Sequence, residues 1–119
     1  MEVIDKNYTI EHTRGDKGSL ILKSKETSPF KIGDILTFSI ITKGNYSDVV
    51  FQKEFKIEEE TVEFVLSFTN EEMRIGDPIN DKVTYYYEID LNDDTTLIGS
   101  RKTHKQFILY PEVIKKGVN

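Results

Sequence analysis

Apolar and polar residues alternate with a period of two along most of the chain, the spacing of strands buried on one face. The clearest case is residues 62–91. Val62, Phe64, Leu66 and Phe68 fall on one face of a first extended segment. Val83, Tyr85, Tyr87, Ile89 and Leu91 fall on one face of a second. Residues 69–76 between them read as one short helical turn. Asn70 is a capping residue type, Glu71 and Glu72 suit a first turn, and Gly76 suits an end. Met73 and Ile75 are placed to plug the bottom of a core.

The same period sets the other elements. Residues 8–12 read as a short edge strand and residues 13–18, with two glycines and an Asp, as a turn. Residues 19–24 are a second strand, with Leu20 and Leu22 facing one way. Residues 35–41 place Leu36, Phe38 and Ile40 on one face and Thr37 and Ser39 on the other. Residues 49–57 repeat the alternation, except that Lys53 interrupts the apolar face and predicts a rim or bulge position. Glu58, Glu59 and Glu60 form a charged turn that discourages edge-to-edge pairing. Residues 92–95 read as a hairpin turn, and residues 96–110 as a bent final strand broken at Gly99 and Ser100. Seven to eight short strands at about ten-residue spacing, with no amphipathic helix, predict an all-β antiparallel β-sandwich. An open barrel of the OB type is the other arrangement with this count.

Composition narrows the picture. A chain of 119 residues fits one domain with a real core. We expect a flexible amino terminus over residues 1–7, a β-sandwich over 8–113, and a free tail or the start of a linker over 114–119. There is no Cys, so neither disulfides nor thiol chemistry enter. No apolar run approaches the length of a membrane span, and residues 1–6 lack the basic start and apolar run of a signal peptide. A net charge of −5 argues against nucleic acid as a partner. The basic run at residues 101–105 reads as the solvated face of a strand.

Several short motifs invite chemistry. Arg14-Gly15-Asp16 is the integrin tripeptide, but Gly-Asp is also ordinary turn chemistry. Residues 90–94 begin like a calcium loop, yet Thr95 and Arg101 stand where an EF-hand needs Gly and Glu. A solvated hairpin tip accounts for them. His12 and His104, the only histidines, have no ligand spacing and are expected on strand surfaces. No nucleophile elbow is present, and the acidic pairs sit in turns. The sequence therefore predicts no catalytic residue, no metal site and no cofactor. Tyr85 and Tyr87 belong to the predicted core with Leu36, Phe38, Ile40, Phe64, Leu66 and Ile89. Tyr86 points the other way, and is either a cover for the sheet face or an exposed contact for sugar or protein.

Residues 70–76 followed by Tyr85-Tyr86-Tyr87-Glu88-Ile89 resemble the immunoglobulin pattern of a helical turn before a Tyr-bearing strand, with Tyr87 where a disulfide-bearing domain has Cys. More narrowly, the chain resembles small β-sandwich domains of phage tails and baseplates from Gram-positive hosts, in particular the amino-terminal domain of baseplate upper proteins. The residues that carry this are Arg14-Gly15-Asp16 before the first core strand, Leu36-Thr37-Phe38-Ser39-Ile40, Val49-Val50-Phe51-Gln52-Lys53, the Tyr-rich strand, and Gln106-Phe107-Ile108-Leu109. Two features depart from it. Glu88 replaces an Asp, and a usually short link is expanded as Asp77, Pro78, Ile79, Asn80, Asp81 and Lys82.

The resemblance implies a virion structural or adaptor role without catalysis, assembled in the bacterial cytoplasm and contacting other particle proteins or further copies of itself. Neither nucleic acid nor membrane is an expected partner. The expanded loop at 77–82 is the expected place for a specific contact. The rival expectation is a carbohydrate-binding module that uses Tyr46, Tyr86 or Tyr110.

Overall fold

The computed structural model describes residues 1–100 and 102–112, and the expected tail at 114–119 lies outside them. Among the described residues the chain is all-β, with nine strands. They are β1 (Glu2–Val3), β2 (Ile10–Thr13), β3 (Gly18–Lys23), β4 (Ile35–Thr42), β5 (Val49–Lys56), β6 (Glu63–Phe68), β7 (Val83–Leu91), β8 (Thr95–Ile98) and β9 (Lys105–Tyr110). Seven of them form one sheet in the order β1-β2-β9-β7-β4-β5, with β8 also on β7. β3 and β6 form a separate two-stranded sheet. The arrangement is β-sandwich-like.

Alternation places the side chains. In β4, Leu36, Phe38 and Ile40 are fully buried and turn towards the small sheet. Phe38 stands opposite Lys53 of β5 and Ile89 of β7. Its ring meets Phe68 of the small sheet at 5.0 Å and Tyr87 of the large one at 5.8 Å. This one side chain ties the two sheets together, and truncating it to Ala is worth about 3–5 kcal/mol. Leu66, Tyr87 and Ile89 are buried beside it, while Phe64 and Tyr85 are half-buried against the same cluster.

At the amino terminus β1 pairs with β2 through Glu2 and Val3. Three expectations are corrected. The sheet is mixed, because β2 runs parallel to β9, pairing Ile10 with Phe107 and Thr13 with Tyr110. Residues 69–76 form hydrogen-bonded turns and no helix. Met73 N–H donates to Thr69 O and Arg74 N–H to Glu71 O, but the ladder stops there. Met73 and Ile75 are both buried, and two residues apart on one face is an extended spacing rather than a helical one. The cap is Thr69, not Asn70: Thr69 Oγ1 accepts from Glu72 N–H at 3.1 Å and Glu72 Oε1 accepts from Thr69 N–H at 2.8 Å.

Lys53 lies in regular register on the edge strand β5, and the irregularity falls elsewhere, between Ile40 and Ile41. Its Nζ reaches Ser67 O and Glu72 Oε1 at 2.8 and 2.9 Å, passing the rings of Phe55 and Phe68.

The long final strand is interrupted as its glycine suggested. β9 pairs with residues 83–87 of β7, and β8 pairs with residues 89–91 on the same edge. Residues 99, 100 and 102–104 leave the sheet between them. Of the basic run, Lys102, Thr103 and His104 therefore lie outside the strands, Lys105 opens β9, and Arg101 lies outside the described residues.

Candidate functional site

Arg14 is the first surprise. The tripeptide that suggests an exposed adhesive loop is folded inward, with Arg14 only 8% exposed. Its guanidinium donates to the carbonyls of Ile75 at 3.2 Å and Gly76 at 2.9 Å, and pairs with Glu112 at 3.4 Å. Gly15 N–H donates to Met73 O, and Asn70 Nδ2 donates back to Gly15 O. The Arg-Gly pair thus caps the far end of the 69–76 turn. His12 is likewise buried, its Nε2 2.8 Å from Asp16 O, and burial lowers its pKa.

The calcium-like hairpin is also occupied by structure. Asn92 Oδ1 accepts from Ile35 N–H at 2.8 Å and its Nδ2 donates to Asp34 Oδ1 at 3.0 Å. Among the described residues no group of three or more His, Cys, Asp or Glu is placed to hold a metal. Asp90 is half-buried, and desolvation raises its carboxyl pKa.

In the expanded loop, Asp77, Pro78, Asn80, Asp81 and Lys82 are exposed, whereas Ile79 packs against the core cluster. The loop is pinned at one point and solvated elsewhere.

Two recesses hold the remaining candidates. The first is a groove of about 590 Å³ between the small sheet and the β1, β2 and β8 side of the large one. Residues 20–24 all line it, which is how a strand seen edge-on presents itself, because successive side chains point to opposite faces. Tyr8, Ile10, Tyr87 and Ile89 line the opposite wall. Of the nine large apolar residues exposed among the described residues, Val3, Tyr8, Ile21 and Leu97 are all on this groove.

Among the described residues β3 pairs only with β6. Ser24 N–H donates to Val62 O at 2.8 Å, so the two-residue alternation of the antiparallel ladder turns the backbone groups of Ile21 and Lys23 away from β6. Ser24 Oγ, also on the groove, is the one buried side-chain polar atom without a hydrogen bond among the described residues. On the wall opposite β3, Tyr87 OH donates to Tyr8 O at 2.5 Å, and burial raises the phenol's pKa.

The second recess is an open cleft of about 570 Å³ on the outer face of the large sheet. Here Tyr86 of β7, Tyr46 of the β4–β5 turn and His104, just before β9, converge. The Tyr86 and His104 rings stack with centroids 4.4 Å apart and planes 10° from parallel. Tyr46 leans on both, 5.9 Å from Tyr86 and 5.5 Å from His104. Its hydroxyl bridges Ser100 O at 2.8 Å and His104 Nδ1 at 2.5 Å. Parity had pointed Tyr86 outward; nothing in a sequence separation of 58 residues announced the Tyr46–His104 bond. Tyr110 lies elsewhere, its hydroxyl bonded to Glu11.

No protein-family profile, no curated protein and no solved structure matches this chain.

Proposed function

We propose that this chain is an immunoglobulin-like β-sandwich without catalytic activity, acting through protein–protein contacts as a structural or adaptor domain of a phage or phage-like particle. Strand order supports the immunoglobulin-like part. With β3, β4, β5, β6, β7 and β9 taken as B, C, C′, E, F and G, the order β9-β7-β4-β5 matches the GFC sheet of a variable-type domain. The β3–β6 pair then matches B and E of the facing sheet. The particle setting follows from the resemblance in the sequence.

The observation that carries the contact role is the apolar groove beside the unpaired edge of β3. Exposed apolar patches rimmed by polar residues mark contact sites, and a free strand edge offers backbone hydrogen bonds to a partner's extended segment. Partners are other particle proteins or further copies of this chain.

The test is proteomics of purified particles from the source organism, combined with lysine-directed cross-linking. The chain is expected in the particles at structural stoichiometry, with cross-links from Lys23 on the groove wall to another polypeptide. Its absence from particles removes the particle role. Its presence with cross-links confined to surfaces away from the groove removes the groove as the contact.

A further inference from the structure

We infer that the solvated face of the two-stranded sheet is where two copies of this chain meet, related by a twofold axis that runs along the strands. This face is a different surface from the groove at the β3 edge, although Ile21 and Lys23 border both.

The register of β3 and β6 gives the face three rows. Leu20 and Leu22 turn inward, opposite Leu66 and Phe64. Outward, Lys23 stands opposite Glu63, Ile21 opposite Val65, and Ser19 opposite Ser67, and all six are exposed. One end of the face therefore carries one charge of each sign, the middle is apolar, and the other end is neutral and polar. Ile21 is 59% exposed and Val65 47%, and as direct cross-strand neighbours they form one apolar spot. A sheet face that stays in water carries polar residues at these positions. The middle row departs from that pattern.

The rows choose the partner and the axis. A twofold axis parallel to the strands, lying between two such faces, exchanges β3 with β6 and keeps each row at its own level. Lys23 of one copy then faces Glu63 of the other, and the reverse, which makes two ion pairs across the contact. Ile21 faces Val65 twice, and Ser19 faces Ser67. An axis across the strands would instead set Ile21 on Ile21 and carry Lys23 over Ser19 and Glu63 over Ser67, so that neither charge meets its opposite. The face is thus complementary to itself in charge and in apolar surface about one axis only.

Packed sheets cross at about 30° rather than lying flush. The charged row is two residues, about 7 Å, from the apolar one. A crossing of about 30° shifts it sideways by about 3–4 Å, a gap that long Lys and Glu side chains span. Two strands of six residues each make a small contact, below the roughly 800 Å² per partner of a standard interface. Association is therefore expected only at high protein concentration.

The experiment is sedimentation equilibrium of the full chain from about 10 μM to about 1 mM, with isotope-filtered NMR on an equal mixture of labelled and unlabelled chain. A dimer with Kd of about 0.1–1 mM is expected, with intermolecular contacts between the methyl groups of Ile21 and Val65. Lys23→Glu and Glu63→Lys each set like charges face to face and are expected to weaken dimerisation about tenfold. The double reversal restores the pairing and should restore the dimer. Ile21→Ser, which keeps every charge, should also weaken it about tenfold. A chain that stays monomeric at about 1 mM overturns the inference. So does a dimer that both single reversals leave unchanged, one that the double reversal does not rescue, or one whose contacts join Ile21 to Ile21. Each of these failures leaves the groove's contacts with other particle proteins standing, because those are read as cross-links to a different polypeptide.

Discussion

Arg14 Nη2 lies 2.9 Å from the carbonyl oxygen of Gly76, 62 residues further along the chain. With Ile75 O at 3.2 Å, the guanidinium closes the end of a turn whose last carbonyls have no partner of their own. Arg14→Ala leaves the buried Ile75 carbonyl and the part-buried Gly76 carbonyl without this donor and is expected to lower stability by about 2 kcal/mol in urea denaturation. Glu112→Gln removes the ion pairs that this half-exposed carboxylate makes with Arg14 and Arg74, and about 0.5 kcal/mol is expected. Equal losses in the two variants would show that the ion pair, not the carbonyl contacts, holds the turn.

Tyr87 joins the core to the amino-terminal segment through its hydroxyl on Tyr8 O. Tyr87→Phe strands that carbonyl and is expected to cost about 1–2 kcal/mol. Burial, foremost, and then the neighbouring Tyr8 and Asp5 raise the phenol's pKa. The folded state therefore holds this proton more tightly than the unfolded state. The stabilisation is fully present below the ordinary tyrosine value near 10 and is lost as pH rises towards the higher folded value. Urea midpoints near pH 8 and pH 11 should fall more for the native chain than for Tyr87→Phe. A parallel fall in both would contradict the assignment, since Tyr85 and Tyr110, also shifted upward, are present in each.

How much of this is legible in the sequence follows from the range of each interaction. Alternation is a local property, so the inward faces of β4 and β7 and the break at Gly99 could be read directly. At 69–76 the sequence predicts a helical turn capped by Asn70, whereas the structure has turns capped by Thr69. Local propensity favoured helix there, but tertiary packing buries Met73 and Ile75 together. Pairing partners are invisible to a period of two, which is why the parallel β2–β9 ladder was missed. The destination of Arg14 and the meeting of Tyr46 with His104 depend on contacts 58 to 62 residues apart that only the folded topology creates.

Thr69 and Glu72 exchange hydrogen bonds at the head of the same turn. Thr69→Ala is expected to cost about 1 kcal/mol, the usual worth of such a cap. The Glu72 carboxyl is held below its ordinary pKa, chiefly by Thr69 N–H and then by Lys53. Its contribution is therefore present above the ordinary carboxylate value and lost as pH falls through the lowered folded one. The stability gap between the native chain and Glu72→Gln should close on acidification from about pH 7 to about pH 3. A gap that stays constant would mean that the charge of Glu72 contributes nothing.

The expanded loop should be separable from the fold except at Ile79. Replacing residues 77–82 with a short Gly-containing turn removes one half-buried apolar contact and five exposed residues. Thermal melting is expected to remain cooperative with a loss of about 1–2 kcal/mol, and Ile79→Ser alone should reproduce most of it. Unfolding of the shortened chain, with Ile79→Ser mild, would make the loop a structural element in its own right.

Gly99 is where the last strand leaves β7, and two independent constraints meet there. Its φ of +79° lies in the left-handed region, which a side chain makes costly. A Cβ at this position would also run into the carbonyl oxygen of Tyr87, a backbone atom of a central strand that cannot swing aside. Gly99→Ala is therefore expected to cost about 3 kcal/mol, more than strain alone would explain. The loop that Gly99 launches also carries Ser100 and His104, both bonded to the Tyr46 hydroxyl. The same substitution should therefore displace the His104 ring from Tyr86, visible as a loss of its ring-current shift in NMR spectra. A folded Gly99→Ala protein with native stability and an unmoved His104 signal would show that the loop path tolerates a side chain, contrary to the steric argument.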